Sequence, residues 1–186
     1  MSVFPGFAHD IADAARTTYR ALLAAHPDET FYTFALYTDS GAMTVVSSAN
    51  SEEGLERARQ QFNRGRDPHA PAPAWLIWST AEWAYEAAEA SAFNALSKRL
   101  ADTVIGPAVP EAEFGAFFRA LQLDMIEALR LLDQEGLFGT GAAREKFTLF
   151  ISISDDDGAD ALESESATML NPPAVAQRFI ERYRKS

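Results

Sequence analysis

The octapeptide FYTFALYT, residues 31–38, carries apolar or aromatic groups on both of its alternating faces. Aromatic enrichment over so short a run reads as a strand, and a strand that is apolar on both sides needs cover on both sides. This stretch therefore predicts a central strand of a sheet that other elements pack from above and below. DSGA supplies a turn after it and MTVVSSA a return strand, which makes a hairpin.

The surrounding chain has the period of helices. Phe7, Ile11, Ala14, Ala15, Thr18 and Leu22 recur at three- and four-residue steps and describe one face of a helix that ends near His26 and Pro27. Asn50 with Glu53 forms a capping-box pattern that opens a second helix, with Leu55, Ala58 and Phe62 as its buried stripe. The proline-rich segment from Asn63 to Ala74 is a loop, and WLIWS after it reads as a short strand. STAE, with Ser79 capping and Glu82 answering, predicts a helix that buries Trp83, Ala87, Ala90, Leu96, Leu100 and Val104.

Pro110 opens a further helix to Glu135, with Phe114, Phe117, Phe118, Leu121, Met125, Ala128 and Leu132 inward and Gly136 as a left-handed stop. KFTLFISIS then alternates, placing Phe147, Leu149, Ile151 and Ile153 on one side. Its second face of Thr148, Phe150, Ser152 and Ser154 is more polar, so it is either less deeply covered or faced by small residues on a helix. Asn171 and Pro172 start a C-terminal helix carrying Val175, Phe179 and Ile180. Helices and strands mix without regular alternation. The expectation is a single α+β domain over residues 1–186, with a small, largely antiparallel sheet of about four strands packed by about five helices.

Charge and composition narrow the function. The formal net charge of −11 repels phosphate backbones and anionic membrane surfaces, which argues against nucleic-acid and membrane binding and leaves a basic protein as the partner it would attract. With no cysteine there are no disulfides, thiolate metal sites or cysteine nucleophiles. No stretch approaches the length of a membrane span and the first residues lack a basic-then-apolar pattern, so a cytoplasmic location is expected.

The row Asp155, Asp156, Asp157 is the most conspicuous acidic cluster. A calcium loop fails in either register: starting at Asp155 puts Ala159 at position five, and placing Gly158 at position six puts Ile153 at one and Ser164 at twelve. Magnesium could use Asp155 or Asp157, but acids after a strand are more often turn formers that stay in water, so no metal or cofactor is expected. His9, His26 and His69 have no zinc spacing. No G-x-S-x-G elbow nominates a nucleophilic serine, and GLFGTGAAREK lacks the ending of a phosphate loop. Glu82, Glu86 and Glu89 would share a helical face, as solvated carboxylates often do.

Trp75, Trp78, Trp83 and Tyr85 fall within eleven residues. Indoles suit either a core seam or an interface anchor. In a strand Trp75 and Trp78 would face opposite ways, which predicts core for two of the tryptophans and an exposed or groove-lining place for one. FYTFALYTD, NSEEGL, WSTAEWAYE, LDQEGLFG and LFISISDDD, in this order, resemble a bacterial family designated DUF4303, a domain of unknown function. The resemblance implies a small, soluble, intracellular α+β protein and, by analogy, a kinship with immunity proteins of toxin systems; it brings no catalytic residues. It makes one surface of Asp155, Asp156, Asp157, Glu82, Trp83 and Glu86 conceivable. The leading expectation is a non-enzymatic binding module, an immunity-type inhibitor of a basic partner. The alternatives are a carboxylate-dependent hydrolase near the end of the last strand and the 63–74 loop, and a small-ligand binder with a pocket bordered by Trp75 or Trp78.

Overall fold

The computed structural model describes residues 2–106, 109–154, 156 and 158–184. Its centre is a mixed four-stranded sheet of β1 (Phe31–Asp39), β2 (Val46–Ser51), β3 (Tyr85–Glu86) and β4 (Thr148–Ser154), in the order β3-β2-β1-β4. β1 and β2 form the expected antiparallel hairpin, although β2 starts at Val46 rather than Met43 and runs on to Ser51, and β3 adds antiparallel to β2. β4 instead joins β1 in parallel, with Tyr37 beside Ser152 and Asp39 beside Ser154. β1 thus has neighbours on both edges and cover on both faces, as its two-sided apolar pattern demands.

One face of the sheet carries the main core. Phe34 and Leu36 of β1 and Leu149 and Ile151 of β4 pack there with α1 (Phe7–Ala25), from which Ile11, Ala15, Tyr19 and Leu22 point inward. Behind α1 lies a long helix, Glu111–Gln134, labelled α5 below, which buries Leu121, Met125, Ala128, Leu129 and Leu132. Gly136 follows at φ 76°, the left-handed stop expected there. Phe114, Phe117 and Phe118 at the front of α5 are only half-buried. The other face holds a smaller cluster of Ala35, Trp83, Phe150, Ala167 and Phe179.

α2 (Glu52–Phe62) begins one residue later than expected. Ser51 is the cap, accepting from the Gly54 N–H at 2.8 Å, while Glu53 accepts from the Thr30 N–H rather than closing a box. Asn50 is drawn into the sheet face, donating to the Tyr32 phenol at 2.9 Å. Leu55, Ala58 and Phe62 are half-buried, and Gly54 is the buried residue of the helix because Ala84 crosses it: a Cβ at Gly54 would stand 2.8 Å from the Ala84 Cβ.

The segment from Ala74 to Phe93 departs most from expectation. WLIW is not a strand but a short helix, α3 (Ala74–Trp78), because a brief apolar run does not by itself distinguish a buried helical turn from a strand. STAE opens no long helix: Thr80–Glu82 makes a single 3₁₀ turn, with no side-chain cap from Ser79. Trp83 then turns into the core, Tyr85 and Glu86 form β3, and Ala87 and Glu89 take left-handed φ values of 51° and 54° that a helix cannot contain. Regular helix resumes only at α4 (Asn94–Ile105). Glu82, Glu86 and Glu89 therefore share no helical face.

Two helices close the structure. α6 (Ala159–Leu170) occupies a stretch for which the sequence reading offers no element, and α7 (Pro173–Ile180) is the expected C-terminal helix, with Pro172 as its cap. α6 runs along the outer edge of β4, giving Leu162 and Leu170 to the main core and Ala167 to the smaller cluster. The more polar face of β4 is therefore as deeply buried as the other as far as Ser152. Among the described residues no helix is long and apolar enough to cross a membrane.

Candidate functional site

The pleat of the sheet decides which side chains meet at the C-terminal ends of β1 and β4. Tyr37 and Ser152 are register partners, so they project from one face, and Glu86 of β3, paired with Ser48, projects from the same face further along. Together with Asp156, Asp160 and Glu163 from the turn into α6, and Tyr183 after α7, they line a cleft of about 600 Å3. The 3₁₀ turn at Ser79 and Thr80 makes its remaining wall.

Two carboxylates form the polar floor. Glu86 accepts from the Tyr37 phenol, and burial, followed by that neighbouring charge, pushes the phenol's pKa upward, so the proton stays on tyrosine. Glu163 accepts from Ser152 Oγ at 2.6 Å through one oxygen and from Arg182 Nη2 at 2.7 Å through the other. Burial raises the Glu163 pKa, and Ser152 and Arg182 partly offset it. Arg182 is itself enclosed, its side chain 2% exposed, with its guanidinium 4.1 Å over the Phe179 ring and 4.8 Å from that of Tyr183. It also reaches Asp160 at 3.1 Å. One cation thus stands behind four lining carboxylates, and the cleft remains net negative.

The residues singled out in sequence separate into groups. Asp156 and Glu86, seventy positions apart, do line the same cleft. Asp156 also forms the local turn, accepting from the Gly158 N–H at 2.6 Å. Asp155 and Asp157 lie outside the described residues. Glu82 is exposed on the 3₁₀ turn next to Ser79 and Thr80 but does not line the cleft. Trp83 is core: 4% exposed, edge-on to Phe150 at 5.6 Å, with its indole N–H donated to the Ile77 carbonyl at 2.9 Å.

Trp75 is exposed beside Phe62, whereas Trp78 is half-buried between Tyr32 and Phe179 and borders a separate pocket. Asp160, Glu163, Arg182 and Tyr183 went unnoticed in the sequence. Glu163 and Ser166 are polar residues on the inward face of α6, and the i, i+3 spacing of Asp160 and Glu163 was the available signal. Among the described residues no group of three histidine, aspartate or glutamate side chains could hold a metal ion. The 63–74 loop does not reach the cleft.

The fold and cleft define an α+β protein with one mixed sheet and an acidic, tyrosine-walled cleft at the end of its parallel strand pair. The chain belongs to the DUF4303 family, a domain of unknown function, whose pattern matches residues 11–172. That span holds every strand and the α6 wall of the cleft, and omits Arg182 and Tyr183. Comparison with curated proteins and with solved structures gives no match.

Proposed function

We propose that the chain is a non-enzymatic binding module whose acidic cleft receives a cationic side chain of a basic partner protein, in the manner of an inhibitor that occupies its target. The observation that carries this reading is the meeting of Glu86 with Asp156, Asp160 and Glu163 in one cleft between tyrosines. Carboxylates accept the hydrogen bonds of a guanidinium or ammonium group, and phenol rings offer it a face. The net charge of −11 speeds encounter with a basic surface and selects against acidic ones. Catalysis is the weaker reading, because Glu163, the buried acid, has both oxygens engaged by the protein's own side chains.

The test is a comparison of two baits in lysate of the source organism, at low and at moderate salt: the wild-type chain and the triple variant Glu86→Gln, Asp156→Asn, Asp160→Asn. A basic protein retained in stoichiometric amount by the wild type, released by salt and lost from the variant is the expected result. The same proteins held by both baits at both salt concentrations would contradict the reading.

A further inference from the structure

We infer a second binding site, for a small ligand made of a planar ring with an anionic tail, at the opposite end of the same sheet face. The acidic cleft lies at the C-terminal end of β4, whereas Thr148, the first residue of β4, lines a different pocket of about 450 Å3. Trp83, Phe150 and Phe179 fill the space between the two ends. The pocket's volume lies within the roughly 300–1,000 Å3 of small-molecule sites.

Its aromatic wall is held by hydrogen bonds and ring contacts. A register shift between Phe31 and Thr33 lets Tyr32 turn to this face, where its phenol donates to the Ile77 carbonyl and accepts from Asn50 Nδ2, both at 2.9 Å. Trp78 stands edge-on to Tyr32 at 6.0 Å and to Phe179 at 5.2 Å, and it borders the same pocket. Aromatic side chains held in this way offer a stacking surface with little ordering left to do on binding.

The pocket's cations are the second, independent feature. Among the described residues ten lysine and arginine side chains are held in ion pairs with carboxylates, and five, Arg20, Arg64, Arg66, Lys146 and Arg178, are not. Lys146 and Arg178, which come from separate elements, form no such pair among the described residues, yet both line this pocket. Arg178 donates to the Glu145 carbonyl at 3.4 Å, which brings its guanidinium over the turn that carries Lys146. An acidic chain that places two uncommitted cations beside an aromatic wall has the complement of a ring bearing a carboxylate, sulfonate or phosphate. The single lining carboxylate, Glu52, suits a hydroxyl or amino donor on the ligand. The negative charge of the whole molecule opposes an anion at long range. At physiological ionic strength that field is screened over about 8 Å, so the two nearby cations decide.

The test is a titration of the nitrogen-15-labelled chain with adenosine monophosphate and with anilinonaphthalene sulfonate, two planar anions, beside adenosine and inorganic phosphate alone. The readout is the indole N–H resonance of Trp78. At least one planar anion should move it saturably, with adenosine and phosphate weaker by about tenfold or more. Lys146→Ala with Arg178→Ala, both at exposed positions, should weaken that anion by a similar factor while the rest of the spectrum is unchanged. An indole resonance unmoved by both planar anions, or equal binding by the double variant, would overturn the inference. Binding here is independent of the acidic cleft, so Glu86→Gln leaves it intact.

Discussion

Glu29 shows how much one side chain can organise. It lies just before β1, and its carboxylate accepts from Ser51 Oγ, from the Tyr85 phenol at 2.5 Å and from Arg57 Nη1 at 2.7 Å. Burial works to raise its pKa, but the bonds from Arg57, Ser51 and Tyr85 together outweigh burial and hold it at about 2 rather than 4.5. A carboxyl whose folded pKa is depressed stabilises the protein above its unfolded pKa, and that contribution is lost as pH falls through the folded value. The window is therefore from about 4.5 down to about 2. Glu29→Gln should be less stable than wild type at pH 7, and the gap should narrow on acidification toward pH 3, read from urea melts at each pH. A gap that stayed constant would contradict the account. Trp83 gives a second prediction at this scale. Trp83→Ala should lower unfolding free energy by about 3–5 kcal/mol, as large-to-small changes in a core do. The milder Trp83→Phe should leave binding of the basic partner unchanged, since the indole does not line the cleft.

At the scale of elements, the outer edge of β4 is where the fold is most exposed to error. A parallel edge strand presents unpaired backbone groups that invite another chain. Here α6 and its C-terminal cap, Asn171, satisfy them with side chains: the Asn171 amide accepts from the Leu149 N–H at 2.8 Å and donates to the Leu149 carbonyl at 2.6 Å, and Ser166 Oγ accepts from the Ile151 N–H at 3.0 Å. Asn171→Ala should leave both Leu149 groups without these partners, at roughly 1–3 kcal/mol for each orphaned group, measured as a lowered urea midpoint. An unchanged midpoint would show that water replaces the amide. The same arrangement explains what could and could not be read beforehand. β1, α1, α5 and one face of β4 follow from hydrophobic period, because their inward positions are apolar, whereas β2, which buries Ser47, Ser48, Asn50 and Ser51, follows only from the turn that precedes it. α6 was hidden because two of its inward positions, Glu163 and Ser166, are polar and serve a strand distant in sequence. The segment after Ser79 misleads in the opposite sense. Its capping pattern is local, whereas Trp83 entering the core and Tyr85 pairing with Ala49 are tertiary demands that override it. Of the cleft, Asp156 is legible as part of the acidic row after β4 and Glu86 as an acid beside Trp83 and Tyr85, and only the family resemblance groups the two. Asp160, Glu163, Arg182 and Tyr183 were not, since their meeting depends on how α6 and α7 fold back along β4.

Across the whole molecule, the sheet separates one continuous core from a face with distinct ends. The main core around α1 and α5 holds the structure together. On the opposite face, the ends of β4 carry pockets of contrasting charge, one lined by Glu86, Asp156, Asp160 and Glu163, the other by Lys146 and Arg178 beside Trp78. Because Trp83, Phe150 and Phe179 fill the space between these ends, ligands bound at the two would not compete. The central claim is that the acidic end recognises a basic protein through its carboxylates. The most direct measurement is the salt dependence of the dissociation constant for the captured partner, determined by calorimetry for the wild type and for the Glu86→Gln, Asp156→Asn, Asp160→Asn variant. The account predicts weaker binding by the variant together with a flatter dependence on salt, because charges that steer and hold the partner have been removed without loss of shape. Equal affinity and equal salt slope for the two chains would contradict it.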